Sequence, residues 1–477
     1  MPARSCCFTT TSVRSWASGA ASASKSAARK WRRAKPMLSA RLRTSSRAKS
    51  WPSLARALTS SRHKPGPRSR ARAQPTRRPN SAVRPRRSLS SVGGTDTRSH
   101  GDPSFAVPLR RALAAQNELR GDELTHGFHS YAARMHPAVA RELLHNFRGA
   151  GKRVLDPFCG SGTVLVEAMR TGWRALGSDL NPLALALSRV KTQRRDSASV
   201  ERFTNCLDRV VAGSSRRVRE RTPVRARLPP HEFVWYDVHV LKELAGLLEE
   251  IRSIDVDDDR LALEMLFSAI VVKFSRQRSD TSVEAVDKRI RKGLATEFFA
   301  RRGLEWIEGW KALARDLPHP CYRTRVVAAD ARRLAHTLGA DYRCDLVLSS
   351  PPYGGTYDYV EHHRRRYAWL DMHPTALRKG EIGARRELSR DQAGARRWDA
   401  QVGQFLTAMS QVLHPDGIAV LLVGDAELNG QRMVADRQLQ RLAGASGFEF
   451  LAAASQPRAD RRGGRPRAEH LVALMKR

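Results

Sequence analysis

Ten residues constrain the fold of this chain more than any others: Val154-Leu155-Asp156-Pro157-Phe158-Cys159-Gly160-Ser161-Gly162-Thr163. A short apolar strand runs into a turn with glycines at alternate positions, and Thr163 to Arg170 then reads as a helix. Gly160 and Gly162 lack a β-carbon, so the backbone can turn tightly and approach a ligand closely. The helix start that follows leaves N–H groups free to meet it. Trp173 to Ser178 reads as a second strand and Pro182 to Lys191 as a second helix, with Pro182 suited to a first helical position. Strand, helix, strand, helix at this spacing predicts a parallel α/β sheet.

A glycine turn after a strand is shared by many nucleotide-binding sheets, so its partners decide the chemistry. Asp179 ends the second strand, 19 residues beyond Gly160. A carboxylate there can accept both hydroxyls of a ribose, which suits an adenosine-containing cofactor; the competing reading is a helix N-cap. The alternation then breaks. Residues 193–230 are polar and basic, and 238–315 carry helical apolar spacing (Leu241, Leu244, Leu247, Leu248, Ile251), an insertion of about 130 residues. Strands are expected again at 324–329, 345–349 and 417–423, helices at 398–413 and 432–444, and a terminal antiparallel pair at 448–453 and 470–475.

The strand at 345–349 ends in Ser350-Pro351-Pro352-Tyr353. Two consecutive prolines stop ladder pairing and stiffen the loop. Rigid carbonyls and a hydroxyl can then face an amine held in a cleft, with an aromatic ring beside it. The bland alternative is a turn-forming Pro-Pro.

Asp156-Pro157-Phe158-Cys159-Gly160-Ser161-Gly162-Thr163 together with Ser350-Pro351-Pro352-Tyr353 resembles the amino-methyltransferases of the N-4/N-6 DNA methylase family, over about 125–192 and 322–475. The resemblance implies S-adenosyl-L-methionine as cofactor and a Rossmann-like class I methyltransferase sheet. It implies that Asp156, Phe158, Gly160 and Gly162 line the methionine end of the cofactor, that Asp179 takes the ribose, and that Asp330 meets the adenine amine. Upstream, the segment from His129 through Tyr131 and Arg134 to Pro137 is similar to a family segment beside the methionine carboxylate, with Ala132 in place of a proline and Arg134 in place of a lysine. In the family, a serine before Pro-Pro leans toward cytosine N4, and Asp or Asn toward adenine N6 or guanine N2. The implied enzyme is a site-specific DNA methyltransferase, favouring cytosine N4, with DNA preferred over RNA as partner and a restriction partner left open. Ser350, Pro351, Pro352 and Tyr353 are then the catalytic candidates, with Tyr353 stacking on a flipped base. Two alternatives stand beside it: an RNA methyltransferase acting on guanine N2 or adenine N6, and a non-catalytic nucleic-acid-binding protein on a methyltransferase scaffold.

The organisation expected is an Arg/Ser-rich disordered tail at 1–103, a first methyltransferase segment at 104–192, a mainly helical insertion at 193–321 suited to target recognition, and a second segment at 322–477. The chain has 85 Lys and Arg against 47 Asp and Glu, and residues 1–100 hold 24 of those cations with one acid, Asp96. Such a tail cannot bury enough surface to offset chain entropy. It reads as a nucleic-acid-binding arm, as an organellar transit peptide, or as an over-extended reading frame with the true start near residue 100. No apolar run is long enough for a membrane-spanning helix, and six scattered cysteines without a CxxC pair argue against a disulfide scaffold or zinc site, in favour of a cytoplasmic, reducing compartment.

Two basic stretches are candidates for nucleic-acid contact. One is Arg276-Gln277-Arg278, otherwise a solvated helix face; the other is Tyr357, Tyr359, Arg364, Arg365, Arg366, Tyr367 and Trp369, of which Tyr367 and Trp369 could instead be core. His126 with His129, and His362 with His363, lack a convergent third ligand, and the chemistry needs no metal.

Overall fold

The computed structural model describes residues 96–117, 119–147, 153–222, 224–280, 282, 284–390, 392–458 and 467–477. The tail expectation falls mainly on residues 1–95, outside the described residues. Its boundary at 103 needs correction. Arg98–Gly101 is a strand, β1, and the next helix, α1, runs Pro103–Ala115 with Asp102 capping it through the N–H of Ser104. The residues of β1 are all exposed, so no apolar pattern marked them in the sequence.

The main strands are β2 (Arg153–Asp156), β3 (Arg174–Asp179), β4 (Arg325–Ala328), β5 (Cys344–Ser349), β6 (Leu413–Gly424), β9 (Phe448–Arg458) and β10 (Arg467–Lys476), with a small separate hairpin of β7 (Ala426–Leu428) and β8 (Gln431–Met433). They form an eight-stranded sheet in the order β1-β9-β10-β6-β5-β2-β3-β4. β2 through β6 run parallel, while β10 is antiparallel to both β6 and β9. Leaving out β1, this is the Rossmann-like methyltransferase order that the resemblance implies, with the antiparallel strand wedged in. The chain leaves β2 toward β3 and β4 on one side and resumes with β5 and β6 on the other. A crevice therefore opens at the carboxyl ends of β2 and β5, where sheets of this kind bind ligands.

One face of the sheet is covered by α1, α2 (Pro137–Asn146) and α3 (Thr163–Arg170), which bring Leu109, Leu143 and Leu165 against Val154, Leu346, Leu348 and Val420. On the other face, α9 (Gly394–Val412) and α10 (Ala435–Ala443) bring Phe405, Leu406, Met409 and Leu439 against Leu155, Val347 and Leu421.

The insertion holds four long helices, α5 (Ser197–Glu220), α6 (Val238–Arg252), α7 (Asp257–Val271) and α8 (Leu294–Asp316). Within the polar and basic stretch at 193–230, α5 supplies the first long helix of the insertion. Its buried positions Val200, Phe203, Leu207 and Val210 recur at helical spacing within a basic surround. The four helices share one core with α4 (Pro182–Lys191), through Leu183, Leu187 and Val190, and with Phe128, Tyr367 and Trp369. Trp306 and Trp310 on α8 stack face-on and edge-on against Phe128. Burial of each large apolar side chain in that seam stabilises by about 1.5–3 kcal/mol. At the polar end, buried Asp259 accepts from Arg195 at 2.6 Å and from Arg202 at 2.7 Å. Among the described residues, no helix is long and apolar enough to cross a membrane.

Candidate active site

The glycine turn is held by its own backbone and by two acids. Asp156, the last residue of β2, is 3% exposed. Its Oδ1 accepts from the N–H of Phe158 at 3.2 Å and from the hydroxyl of Ser349 at 2.6 Å. Burial pushes its carboxyl up to about 7, against the pull of those two donors. Gly160 and Gly162 adopt φ +47° and +83°, the left-handed region that side chains disfavour. A β-carbon on Gly160 would lie 3.2 Å from the Tyr131 ring, and one on Gly162 would lie 3.0 Å from Ser188 Oγ. Ser188 donates to the carbonyl of Gly160 at 2.8 Å.

Asp179 ends β3, and its two oxygens take the N–H of Gly160 (3.0 Å) and of Asn181 (2.9 Å). Burial raises it to about 6. The N-cap of α4 is Asn181, not Asp179: its Oδ1 accepts from the N–H of Leu183. Asn181 also donates to Tyr131 Oη at 3.1 Å and accepts from Tyr367 Oη at 3.0 Å. Tyr131 stacks on the buried His363, ring centroids 5.0 Å apart. Tyr131 is therefore fixed on both its edge and its face as one wall of the crevice.

Asp330 follows β4 and is gripped by Arg332, whose Nε and Nη2 reach its two oxygens at 2.9 and 2.6 Å. Hydrogen bonds from Arg332 hold its carboxyl below the usual range despite partial burial. Arg332 also donates to the carbonyl of Gly380. A β-carbon on Gly380 would sit 2.6 Å from Leu180 and 3.4 Å from Asp330, so the segment around Leu377 to Ile382 closes that end of the crevice.

Together these groups line one cleft, whose empty space with its open mouth included is about 820 Å³. Tyr131, Asp156, Phe158, Gly160, Asp179 and Asp330 line it, joined by Ser350 and Pro352. Gly162, Pro351 and Tyr353 stand outside its lining. Tyr353 is half-buried, its hydroxyl donating to Glu469 Oε1 at 3.1 Å. A β-carbon on Gly424 would lie 2.6 Å from the Tyr353 ring, so the ring rests on the glycine backbone at the end of β6. The ring face on that side is closed to a base.

The fit to an adenosine-based sulfonium donor rests on the acids at the ends of β2, β3 and β4 and on Thr163, whose buried Oγ1 has no partner and whose side chain lines the cleft. Asp179 would take the ribose hydroxyls and Asp330 the adenine amine, while Asp156 and the glycine turn would hold the methionine end.

The arginines of the second basic stretch are largely committed to partners inside the fold. Arg366 is 1% exposed and binds Asp280 at 2.6 Å and the carbonyl of Ser268. Arg365 lies over the Trp235 ring at 3.6 Å, and Arg364 donates to Glu232 at 2.9 Å. Tyr367 and Trp369 are core. Arg276 and Arg278 lie in a loop after α7 and pair with Asp237 and Glu284. The histidines serve inside the fold. His126 Nε2 meets Glu167 at 2.7 Å, and His129 bonds the Ser130 carbonyl and the Ser268 hydroxyl. Burial lowers these imidazoles to about 4 and about 3, so both are neutral at pH 7. Arg134 donates to the carbonyls of Gly121 and His126, which commits its charge to the loop.

Sequence reasoning missed Ser349 and Asn181. Both carried a signal: a polar residue closing an apolar strand, and an asparagine directly before a first-turn proline. It also missed Glu381, buried at the cleft edge and accepting from the N–H of Tyr359, for which no local pattern exists.

The strand order, the glycine turn and the acids beyond it define a methyltransferase domain of the S-adenosylmethionine-dependent class. In agreement, residues 129–223 match the family model described as RMKL-like, methyltransferase domain. Type II methyltransferase M.MvaI of Kocuria varians is 26% identical over 280 residues, covering 52% of this chain and 58% of that protein. Type II methyltransferase M.MjaII of Methanocaldococcus jannaschii is 32% identical over 99 residues, 21% of this chain and 19% of that one. A tRNA (guanine(10)-N2)-dimethyltransferase of Methanothermobacter thermautotrophicus is 45% identical over 53 residues, 11% of this chain and 16% of that one. The chain thus spans little more than half of the first relative and under a fifth of the other two. These matches support the resemblance to the N-4/N-6 DNA methylase family.

Proposed function

We propose that the protein transfers a methyl group to an exocyclic amine of a base in DNA, cytosine N4 ahead of adenine N6. One observation carries the reading: β5 lies beside β2, so Ser350 and Pro352 open onto the same cleft as Asp156 and the glycine turn. S-adenosylmethionine, when bound, supplies an electrophilic methyl on a sulfonium. An exocyclic base amine is a poor nucleophile because its lone pair is delocalised into the ring. The Ser350 hydroxyl and the Pro351 carbonyl accept hydrogen bonds from that amine and favour a tetrahedral nitrogen. The stiff diproline holds the acceptors in position, so positioning supplies most of the rate. Cys159 is buried, and burial pushes its thiol far up, which suits packing and not nucleophilic attack. The insertion, residues 193–321, is the candidate for target recognition.

The names of the two type II relatives and the serine of Ser350-Pro351 favour DNA. Incubation with labelled cofactor and separate DNA and RNA pools, followed by nucleoside analysis, reads polymer, base and atom together. N4-methylcytosine in DNA is the expected product. A second reading, methylation of a guanine or adenine amine in RNA, draws on the tRNA dimethyltransferase match and is answered by the RNA pool.

A further inference from the structure

Lys191, the last residue of α4, is 0% exposed, and nothing described so far uses its amine. Its Nζ donates to the Ser161 hydroxyl at 3.1 Å and reaches the carbonyl of His126 at 3.5 Å. Among the described residues no carboxylate pairs with it, although an ammonium taken out of water needs a counter-charge. Its charged and titratable neighbours supply none. Arg134 bonds the same His126 carbonyl, and the imidazoles of His126 and His129 are neutral at pH 7. Glu167, which bonds the His126 ring, is shared with Arg141 and Arg170.

The stretch of cleft wall in front of Lys191 is rich in donors and short of acceptors. The Ser161 hydroxyl accepts from the amine, and among the described residues nothing accepts its own proton. Thr163 is 4% exposed, and its buried hydroxyl has no partner. Thr163 also opens α3, and Gly162 before it has no side chain to cap the first N–H groups. Ser161, Thr163 and Val164 all line the cleft.

We propose that Lys191 is the counter-charge for the carboxylate of S-adenosylmethionine, acting through Ser161. The Ser161 and Thr163 hydroxyls donate to that carboxylate, which faces the start of α3, and Asp156 is left for the ammonium of the same amino acid. Lys191 is a positioning residue. Its hydrogen bond occupies the Ser161 oxygen and so turns the serine proton toward the cleft, and its charge acts over a short path from which water is excluded. Burial drives the amine well below its ordinary value, with Arg134 pushing the same way. A carboxylate beyond Ser161 opposes both, so the amine keeps its proton beside it. This role concerns the cofactor alone and is the same whichever base is methylated.

The test is equilibrium binding of two ligands: S-adenosylmethionine, and its decarboxylated form, which keeps the sulfonium and the ammonium and lacks only the carboxylate. The wild-type protein is expected to bind the first about 30-fold more tightly, in the range of a hydrogen-bonded charge. Lys191→Met is expected to lose most of that preference, and only by binding S-adenosylmethionine more weakly. Its unchanged affinity for the decarboxylated form also shows that it folds. Ser161→Ala keeps the amine and removes the bridge, and is expected to lose the preference as well. The double variant should lose no more than either single one, because the two residues act as a unit. A wild-type protein without the preference overturns the proposal. So does a Lys191→Met protein that keeps it, or one that binds both ligands more weakly to the same degree, the mark of a merely structural lysine. Should Lys191→Met fail to fold, Ser161→Ala decides: a full preference kept there overturns the proposal too. A protein that shows the expected pattern and methylates no nucleic acid overturns the base-amine reading and leaves this one standing.

Discussion

Ser349, the last residue of β5, donates its hydroxyl to Oδ1 of Asp156, the last residue of β2, at 2.6 Å across two adjacent strands. The bond joins the cofactor turn to the Ser-Pro-Pro-Tyr loop, since each element begins one residue later. Both partners are buried, at 0% and 3% exposure, so the bond has no water to compete with it.

Ser349→Ala removes one of the donors that oppose the rise in the Asp156 carboxyl. The expected outcome is a loss of about 1–3 kcal/mol of stability and a several-fold weaker cofactor affinity at pH 7. Chemical denaturation and isothermal titration calorimetry read the two effects separately.

Cofactor affinity should depend on pH through the two raised carboxyls. Asp156 titrates near 7 and Asp179 near 6, and ribose hydroxyls and the methionine ammonium both require carboxylates. Affinity is expected to be highest above pH 7 and to fall as the pH drops through 7 and then 6. In the free protein the sign reverses. A carboxyl raised in the fold contributes stability that is present below its ordinary value near 3.8 and is lost as pH climbs through 6 and 7. Asp156→Asn should flatten the upper part of the affinity curve; an unchanged curve contradicts the assignment of Asp156 to the methionine end.

Gly424→Ala puts a methyl 2.6 Å from the Tyr353 ring. The ring must shift, and with it the Ser350-Pro351-Pro352 loop. Methyl transfer is expected to drop at least 10-fold with cofactor binding intact, because β5 lies between the strand that ends in Gly424 and the strand that leads into the cofactor turn. Parallel binding and turnover assays decide it.

Asp280→Ala removes the partner of a guanidinium that is 1% exposed. Breaking such a pair costs about 3–5 kcal/mol, here nearer the lower figure because Asp280 is itself 31% exposed. Ser130, which also bonds Asp280, sits beside Tyr131. Weaker cofactor binding should therefore accompany the lower denaturation midpoint.

The sheet was legible because β2, α3, β3 and α4 each follow a local rule: apolar strands, a glycine turn, a proline at a helix start. The cleft acids were legible from their place at strand ends. Where charge dominated, local rules failed. The period of Val200, Phe203, Leu207 and Val210 in α5 lay hidden among arginines. Arg364, Arg365 and Arg366 look like a phosphate-binding run until Glu232, Trp235 and Asp280 come beside them, and those partners are at least 86 residues distant in the chain. The pairing of Tyr353 with Glu469 spans 116 residues and leaves no mark in either neighbourhood.

The seam between α4 and the inserted helices has one consequence for how such a protein can be remade. Leu183, Leu187 and Val190 lie on the helix that Asn181 starts beside the cofactor cleft, and the insertion covers them. Cutting out residues 193–321 would strip that helix of its cover and loosen Tyr131 and Asp179 along with it. On the proposal that the insertion selects the target, a new preference is therefore reached by rewriting the outer faces of α5 through α8, residue by residue, and not by exchanging the block as a cassette.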